Sequence, residues 1–234
     1  MKKPTRKDLT RWGVAYAVSL LIATPLPALN DSRLITPRES PTPAIYRQDV
    51  REILHKKDLA LAELKRIPYY SLEQVLNAKP ENRPKFFLSK DTIKYLVNLD
   101  LRAREVPDYL DMQFFTRVID RESDGNVYAV GKSGERGIMQ MNLLACLDVG
   151  ANFDDMFNPI RNIEAGVNYY THLGNRASKK HSDWDKLSNS EKQAIVVACY
   201  NQGVTGFFTN CKGDMSNLPY LTRDYISEVA KLEI

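Results

Sequence analysis

From Val106 onward, apolar residues recur every three or four positions, and no stretch shows a strand-like alternation of comparable strength. Helices with that period must bury their stripes against one another, which points to an all-α domain. Leu110, Phe114 and Val118 stand four residues apart, with Phe115 and Ile119 beside them, after an expected helix start at Pro107-Asp108. Asn158-Pro159 offers an N-cap and a first-turn proline for a helix striped by Ile163, Val167 and Tyr170, which Gly174 is expected to close. Ser188 and Glu191 make a capping-box pattern before Ala194, Val197 and Ala198, and Pro219 precedes a last helix with Leu221, Tyr225 and Val229 in register. The Gly-rich stretch from Asp124 to Gly137 has room for a short hairpin. Residues 105–234 thus read as one compact helical domain.

The preceding residues carry less chemistry. Residues 1–29 hold five basic side chains against Asp8 alone, followed by an apolar run from Trp12 to Ala23 and then Pro25 and Pro27. That is the layout of a secretory signal, with an uncleaved inner-membrane anchor as the alternative, because Leu26 spoils a cut after Ala28. The leader accounts for the whole net charge of +4, so the rest of the chain lacks the basic footprint of a nucleic-acid binder. Residues 30–104 read as a Pro-bearing linker and a helical extension, with helices expected at 45–66 and Lys90–Arg104 and a break around Lys79–Pro84. A spacer, a cap or a partner-binding helix fits that extension equally, and a chain starting near Lys90 is expected to keep its chemistry.

Glu122 is the residue on which chemistry converges. It continues the Leu110–Phe114–Val118 stripe by one more four-residue step, at the point where the helix gives way to the Gly-rich turn. A carboxyl on an apolar face loses solvation, its pKa rises, and it stays protonated near neutral pH as a general acid must. The competing reading is a helix-end glutamate that swings to solvent or pairs with Arg121.

Further blocks follow in order: Glu122-Ser123 with Asn126, Tyr128, Ala129 and Val130; Gly134-Glu135-Arg136-Gly137-Ile138-Met139-Gln140; Asn158 to Val167 with Tyr169, Tyr170 and Leu173; Ala198-Cys199-Tyr200-Asn201-Gln202-Gly203; and Thr222-Arg223-Asp224-Tyr225-Ile226. Together they resemble the soluble lytic transglycosylases, a family related to goose-type lysozyme, over residues 105–232. The resemblance implies a lysozyme-like helical fold, a peptidoglycan glycan strand as substrate, and Glu122 as a lone acid/base that leaves a 1,6-anhydro sugar. It implies further that Ser123 and Gln140 hydrogen-bond the sugar, that Met139 lines the groove, that Tyr200 and Asn201 form the opposite wall, and that Tyr225 reaches toward Glu122. Local structural roles compete: a turn cap for Ser123, core filling for Met139, stripe packing for Tyr225. A periplasmic location follows, with an envelope-spanning complex as a further partner and membrane contact only through an uncleaved N-terminal segment.

Several positions depart from the family pattern. Glu135 stands where Ala is usual, Gly131 where Ser is usual, and Cys199 and Gln202 flank Tyr200-Asn201. A second carboxylate at Glu135 raises the alternative of a water-using muramidase, against the simpler reading of a solvated loop acid beside Arg136. A non-catalytic peptidoglycan-binding subunit is the third possibility, opposed by the presence of Glu122 with Gln140, Tyr200 and Asn201. Of Cys146, Cys199 and Cys211, the last two flank the loop after Tyr200-Asn201 and are the expected disulfide, with three buried thiols as the alternative. His55, His172 and His181 match no metal-ligand pattern, so no metal and no cofactor is expected.

Overall fold

The computed structural model describes residues 43–233, with side chains from Arg51 onward. The expected leader at 1–29 and the linker up to residue 42 lie outside the described residues. Among the described residues, no helix is long and apolar enough to cross a membrane. The chain divides between Arg66 and Ile67 into two compact units. The described part of the first is helix α1 (Pro43–Lys65), which carries a Glu52–Lys56 pair at 2.7 Å one turn apart. Both of those side chains are more than half exposed, so solvent screening leaves the pair little weight in stability.

The second unit is all-α among its described residues, with antiparallel pairing limited to isolated bridges. It opens with the short α2 (Leu72–Leu76), closed by a Ser71–Gln74 capping box that the sequence reading passed over. Helix α3 (Lys90–Arg102) starts at the Ser89 cap and buries Ile93, Leu96 and Val97. It stops two residues before the expected Arg104, which instead donates to Asp100 and Asn168 at 2.6 Å each. Helix α4 (Met112–Ser123) starts later than Pro107-Asp108 suggested, because the Asp111 side chain accepts from Phe114 N–H at 2.7 Å and caps it there. Leu110 is buried all the same, from a turn closed by its N–H to the Pro107 carbonyl.

Helix α5 (Leu143–Asp148), capped by Asn142, had no anticipated counterpart. Helix α6 (Pro159–Ser178) uses the Asn158 cap and Pro159 but runs a full turn past Gly174. That glycine serves close approach and not termination: a Cβ there would collide with the Tyr109 hydroxyl. Helix α7 (Asn189–Gln202) begins at the Ser188–Glu191 capping box, and α8 (Tyr220–Ala230) follows Pro219. Helix α7 packs against α6 and α8, and α4 lies against α3 and α8. Phe114, Phe115 and Tyr170 meet edge to face at the centre, with centroids 5.2–5.8 Å apart.

The turn after Glu122 is braced from upstream in the chain. Residues 67–89 belong to the same compact unit and brace that turn. Leu88 N–H donates to the Gly125 carbonyl at 3.1 Å, Val127 N–H donates to the Phe86 carbonyl at 2.9 Å, and Asn126 Oδ1 accepts from Phe86 N–H at 3.2 Å. This compact unit therefore begins at Ile67, upstream of the stretch that reads as a helical domain from residue 105. The three cysteines are free and buried, so the expected Cys199–Cys211 bridge is absent. Cys199 lies inside α7, where burial pushes its thiol up to about 12. Cys211 closes the π-turn Gly206–Asn210 through its N–H to the Gly206 carbonyl at 3.2 Å, so backbone and not sulfur shapes that loop.

Candidate active site

Glu122 sits in the last turn of α4, and Asp124 ends the helix in the left-handed conformation at φ 54°. The carboxyl faces inward, and burial raises its pKa to about 7. Smaller contributions follow: the Tyr225 hydroxyl bond lowers it, the charge of Glu135 raises it, and Arg121 lowers it. Arg121 does not pair with Glu122. Its guanidinium reaches across to α8, where it meets Asp224 at 2.7 Å and Glu228 at 2.6 Å and lies 5.7 Å from the Tyr225 ring centroid. That clamp holds α8 against α4 and leaves Glu122 without a cationic partner at salt-bridge distance among the described residues.

Three tyrosines from three helices enclose the carboxyl. Tyr225 Oη donates to Glu122 Oε1 at 2.6 Å. Tyr170 Oη lies 3.3 Å from Tyr225 Oη, fully buried. The Tyr200 ring stacks on Tyr170 at 4.9 Å and 10°, and its hydroxyl reaches the Met139 and Gln140 carbonyls at 3.0 and 3.2 Å. Burial pushes all three phenols well above their ordinary range, so they remain neutral donors wherever Glu122 titrates. Tyr170 was read from the sequence as stripe packing alone. Its period gave the face correctly, but nothing in the spacing shows that its hydroxyl meets that of Tyr225.

The facing loop is pinned by one buried amide. Asn162 on α6 donates through Nδ2 to the Arg136 and Met156 carbonyls at 2.8 and 2.9 Å and accepts from Met139 N–H at 2.8 Å. Gly137, at φ 76°, lets the loop pass this amide, since a Cβ would collide with it and with the Met156 carbonyl. Gln140 follows at φ 47°, a left-handed conformation that costs a residue with a side chain about 1–2 kcal/mol. Its Nε2 donates to the Gly137 carbonyl at 2.8 Å. Val130, Arg136 and Met141 form the bridges of the short hairpin that the Gly-rich stretch allowed.

The expected site residues separate at this level. Glu122, Gln140, Tyr200 and Tyr225 converge. Ser123 is tied up locally, its hydroxyl donating to the Ile138 carbonyl at 2.8 Å and accepting from Gly125 N–H at 3.1 Å. Met139 is fully buried with its sulfur against Gly166, so it contributes its carbonyl to Tyr200 while its side chain packs in the core. Asn201 is exposed at the end of α7 and donates only to the Val197 carbonyl, at 3.2 Å. Glu135 is half-buried and accepts from Ser133 N–H at 3.0 Å, while its neighbour Arg136 pairs with Asp154 and lies over the Phe153 ring.

A buried carboxyl with a raised pKa, a phenol on one oxygen and a strained amide-bearing loop opposite is an arrangement suited to handing a proton to a bound ligand. Comparison with known protein families matches residues 101–215 to the transglycosylase SLT domain. No curated protein matches the chain. The SLT domain is a lysozyme-like all-α fold, and the match supports transglycosylase activity on peptidoglycan. Glu122, Gln140 and Tyr200 fall inside the matched segment, whereas Tyr225 on α8 lies beyond it.

Proposed function

We propose that this SLT-domain protein is a lytic transglycosylase that breaks the bond between N-acetylmuramic acid and N-acetylglucosamine, with Glu122 as both acid and base. The observation that carries this reading is a carboxyl near pKa 7 with Tyr225 donating to Oε1. Oε1 is thereby occupied, and Oε2 carries the proton that goes to the glycosidic oxygen as the bond to the anomeric carbon breaks. The substrate's N-acetyl oxygen stabilises the cationic sugar. Glu122, now a carboxylate, takes the proton of the muramic C6 hydroxyl, whose oxygen closes on the anomeric carbon. The product is a 1,6-anhydro sugar, Glu122 is again protonated, and no water is consumed. Gln140 and Asn201 orient the sugar by hydrogen bonds, Tyr200 shapes the wall, and Tyr225 holds the carboxyl. Ser123 and Met139 act through the backbone they fix.

The enzyme is read as exported to the periplasm by its N-terminal segment, which is either removed or retained as an anchor. Local wall opening for an envelope-spanning complex suits such a role. A second reading, hydrolysis by a muramidase, is favoured by one observation: the Glu135 charge reaches Glu122 and has no salt-bridge partner among the described residues. Digestion of purified sacculi followed by mass spectrometry separates the cases. Anhydromuropeptides released by wild type and lost in Glu122→Gln are the expected result. Reducing ends that vanish in Glu135→Ala give the muramidase, and intact sacculi give a binding subunit.

A further inference from the structure

Two of the departures from the family pattern, Gly131 and Glu135, meet in space. A Cβ at position 131 would collide with Glu135 Oε2 and lie 2.9 Å from Gln140 Oε1. The turn between them is closed by Gly131 N–H to the Glu135 carbonyl at 2.9 Å and Gly134 N–H to the Gly131 carbonyl at 3.2 Å. Ser133 N–H then holds Glu135 Oε2 at 3.0 Å. Gly131 is not among the glycines at positive φ, so what position 131 needs is space and not an unusual torsion. The glutamate therefore curls back over Gly131 to the side of Gln140, not outward as a loop acid would.

The groups that face Glu122 come from every element around it: Tyr225 from α8, Tyr170 from α6, Tyr200 from α7, Glu135 from this turn, and Arg121 from its own helix. The phenols are neutral, and Arg121 is matched by Asp224 and Glu228. Glu135 supplies the charge that is left uncompensated. We propose that Gly131 and Glu135 are a matched pair: the missing side chain at 131 lets the Glu135 carboxylate turn toward Gln140 and the site, where it places a second negative charge that favours return of the C6 hydroxyl proton to Glu122 in the second step.

Glu135 touches no reacting atom in this scheme. It is a positioning residue for charge, and the inference rests on the reading of Glu122 as the acid/base. Once Glu122 has given up its proton, two carboxylates face the same site, and like charges favour return of a proton to one of them. The C6 hydroxyl is the donor that the substrate offers at that moment. The same repulsion makes Glu122 a poorer acid in the first step, so Glu135 shifts the working pH upward without simply accelerating the reaction.

The test uses the full chain, with release of muropeptides from sacculi followed between pH 5 and 9. Glu135→Gln is expected to move the alkaline limb down by about half a pH unit, a threefold change in protonated fraction on the limb. Gly131→Ala should move it equally by displacing the carboxylate, and the double variant Gly131→Ala/Glu135→Gln should move it no further. Carboxyl-carbon NMR titration of Glu122 in wild type and Glu135→Gln reads the coupling without reference to cleavage. A limb and an NMR titration that both stay in place in Glu135→Gln overturn the charge role, and additive shifts in the double variant overturn the pairing. If Glu122→Gln still cleaves, the catalytic reading fails, while the NMR titration still decides whether Glu135 and Glu122 are coupled.

Discussion

Glu122→Gln is expected to stabilise the protein by an amount that grows with pH. Burial lifts the carboxyl from an ordinary 4.5 to about 7 in the folded chain. Below 4.5 it is protonated in both states, and its charge costs the fold nothing. Between 4.5 and 7 the unfolded chain ionises first, which draws the equilibrium toward unfolding. Above 7 the folded chain must carry a buried anion, and the cost levels off at about 3 kcal/mol. A glutamine keeps the shape and still accepts from Tyr225 through Oε1, but it never ionises. Thermal unfolding of both proteins at pH 4, 6 and 8 should show melting temperatures that coincide at pH 4 and separate by about 5–10 °C at pH 8. Asp100, which burial raises to about 6, titrates alike in both proteins and cancels from the difference. A gap between the two proteins that does not change with pH would refute the buried-acid argument, whatever the variant does to cleavage.

Tyr170→Phe removes the hydroxyl that meets Tyr225 and leaves the ring stack on Tyr200, so kcat should fall about three- to tenfold with KM and melting temperature nearly unchanged, as steady-state rates on soluble glycan fragments would show. Asn162→Ala strands the Met139 N–H and the Arg136 and Met156 carbonyls, and denaturant unfolding should register a loss of about 3 kcal/mol together with loss of cleavage. A chain beginning at Ile67 should fold and cleave within about tenfold of the full chain. A chain beginning at Lys90 loses the Phe86 and Leu88 hydrogen bonds to the turn after Glu122, and should melt lower and cleave more slowly than the chain from Ile67.

The helical class and the inward face of Glu122 were legible because burial follows period, and a four-residue step from Val118 carries Glu122 to the core side of α4. The capping boxes and the Asn158-Pro159 start were legible because a cap is a local transaction between neighbours in sequence. Helix ends were less so. Asp108 and Asp111 both offer a cap upstream of Phe114, and only the packing of Leu110 in a turn selects Asp111. Gly174 looks like a terminator until Tyr109 is placed against it. The roles of Tyr170 and Asn162 were illegible because each depends on partners from other segments: a tyrosine on a stripe announces burial, not the hydroxyl it meets. Met139 shows the converse, since its place beside Gln140 suggested the groove while its side chain fills the space left by Gly166.

The Tyr225–Glu122 bond joins residues 103 positions apart. The three phenols around the acid arrive from three separate helices, so their arrangement does not exist in a partly assembled chain. Before α8 docks, Glu122 lacks the Tyr225 hydroxyl on Oε1. Contacts this distant in sequence cost more loop-closure entropy than local ones. On the proposed mechanism, the acid is complete only when these two segments, distant in sequence, close on each other. On that mechanism, folding itself sets the moment at which cutting can begin.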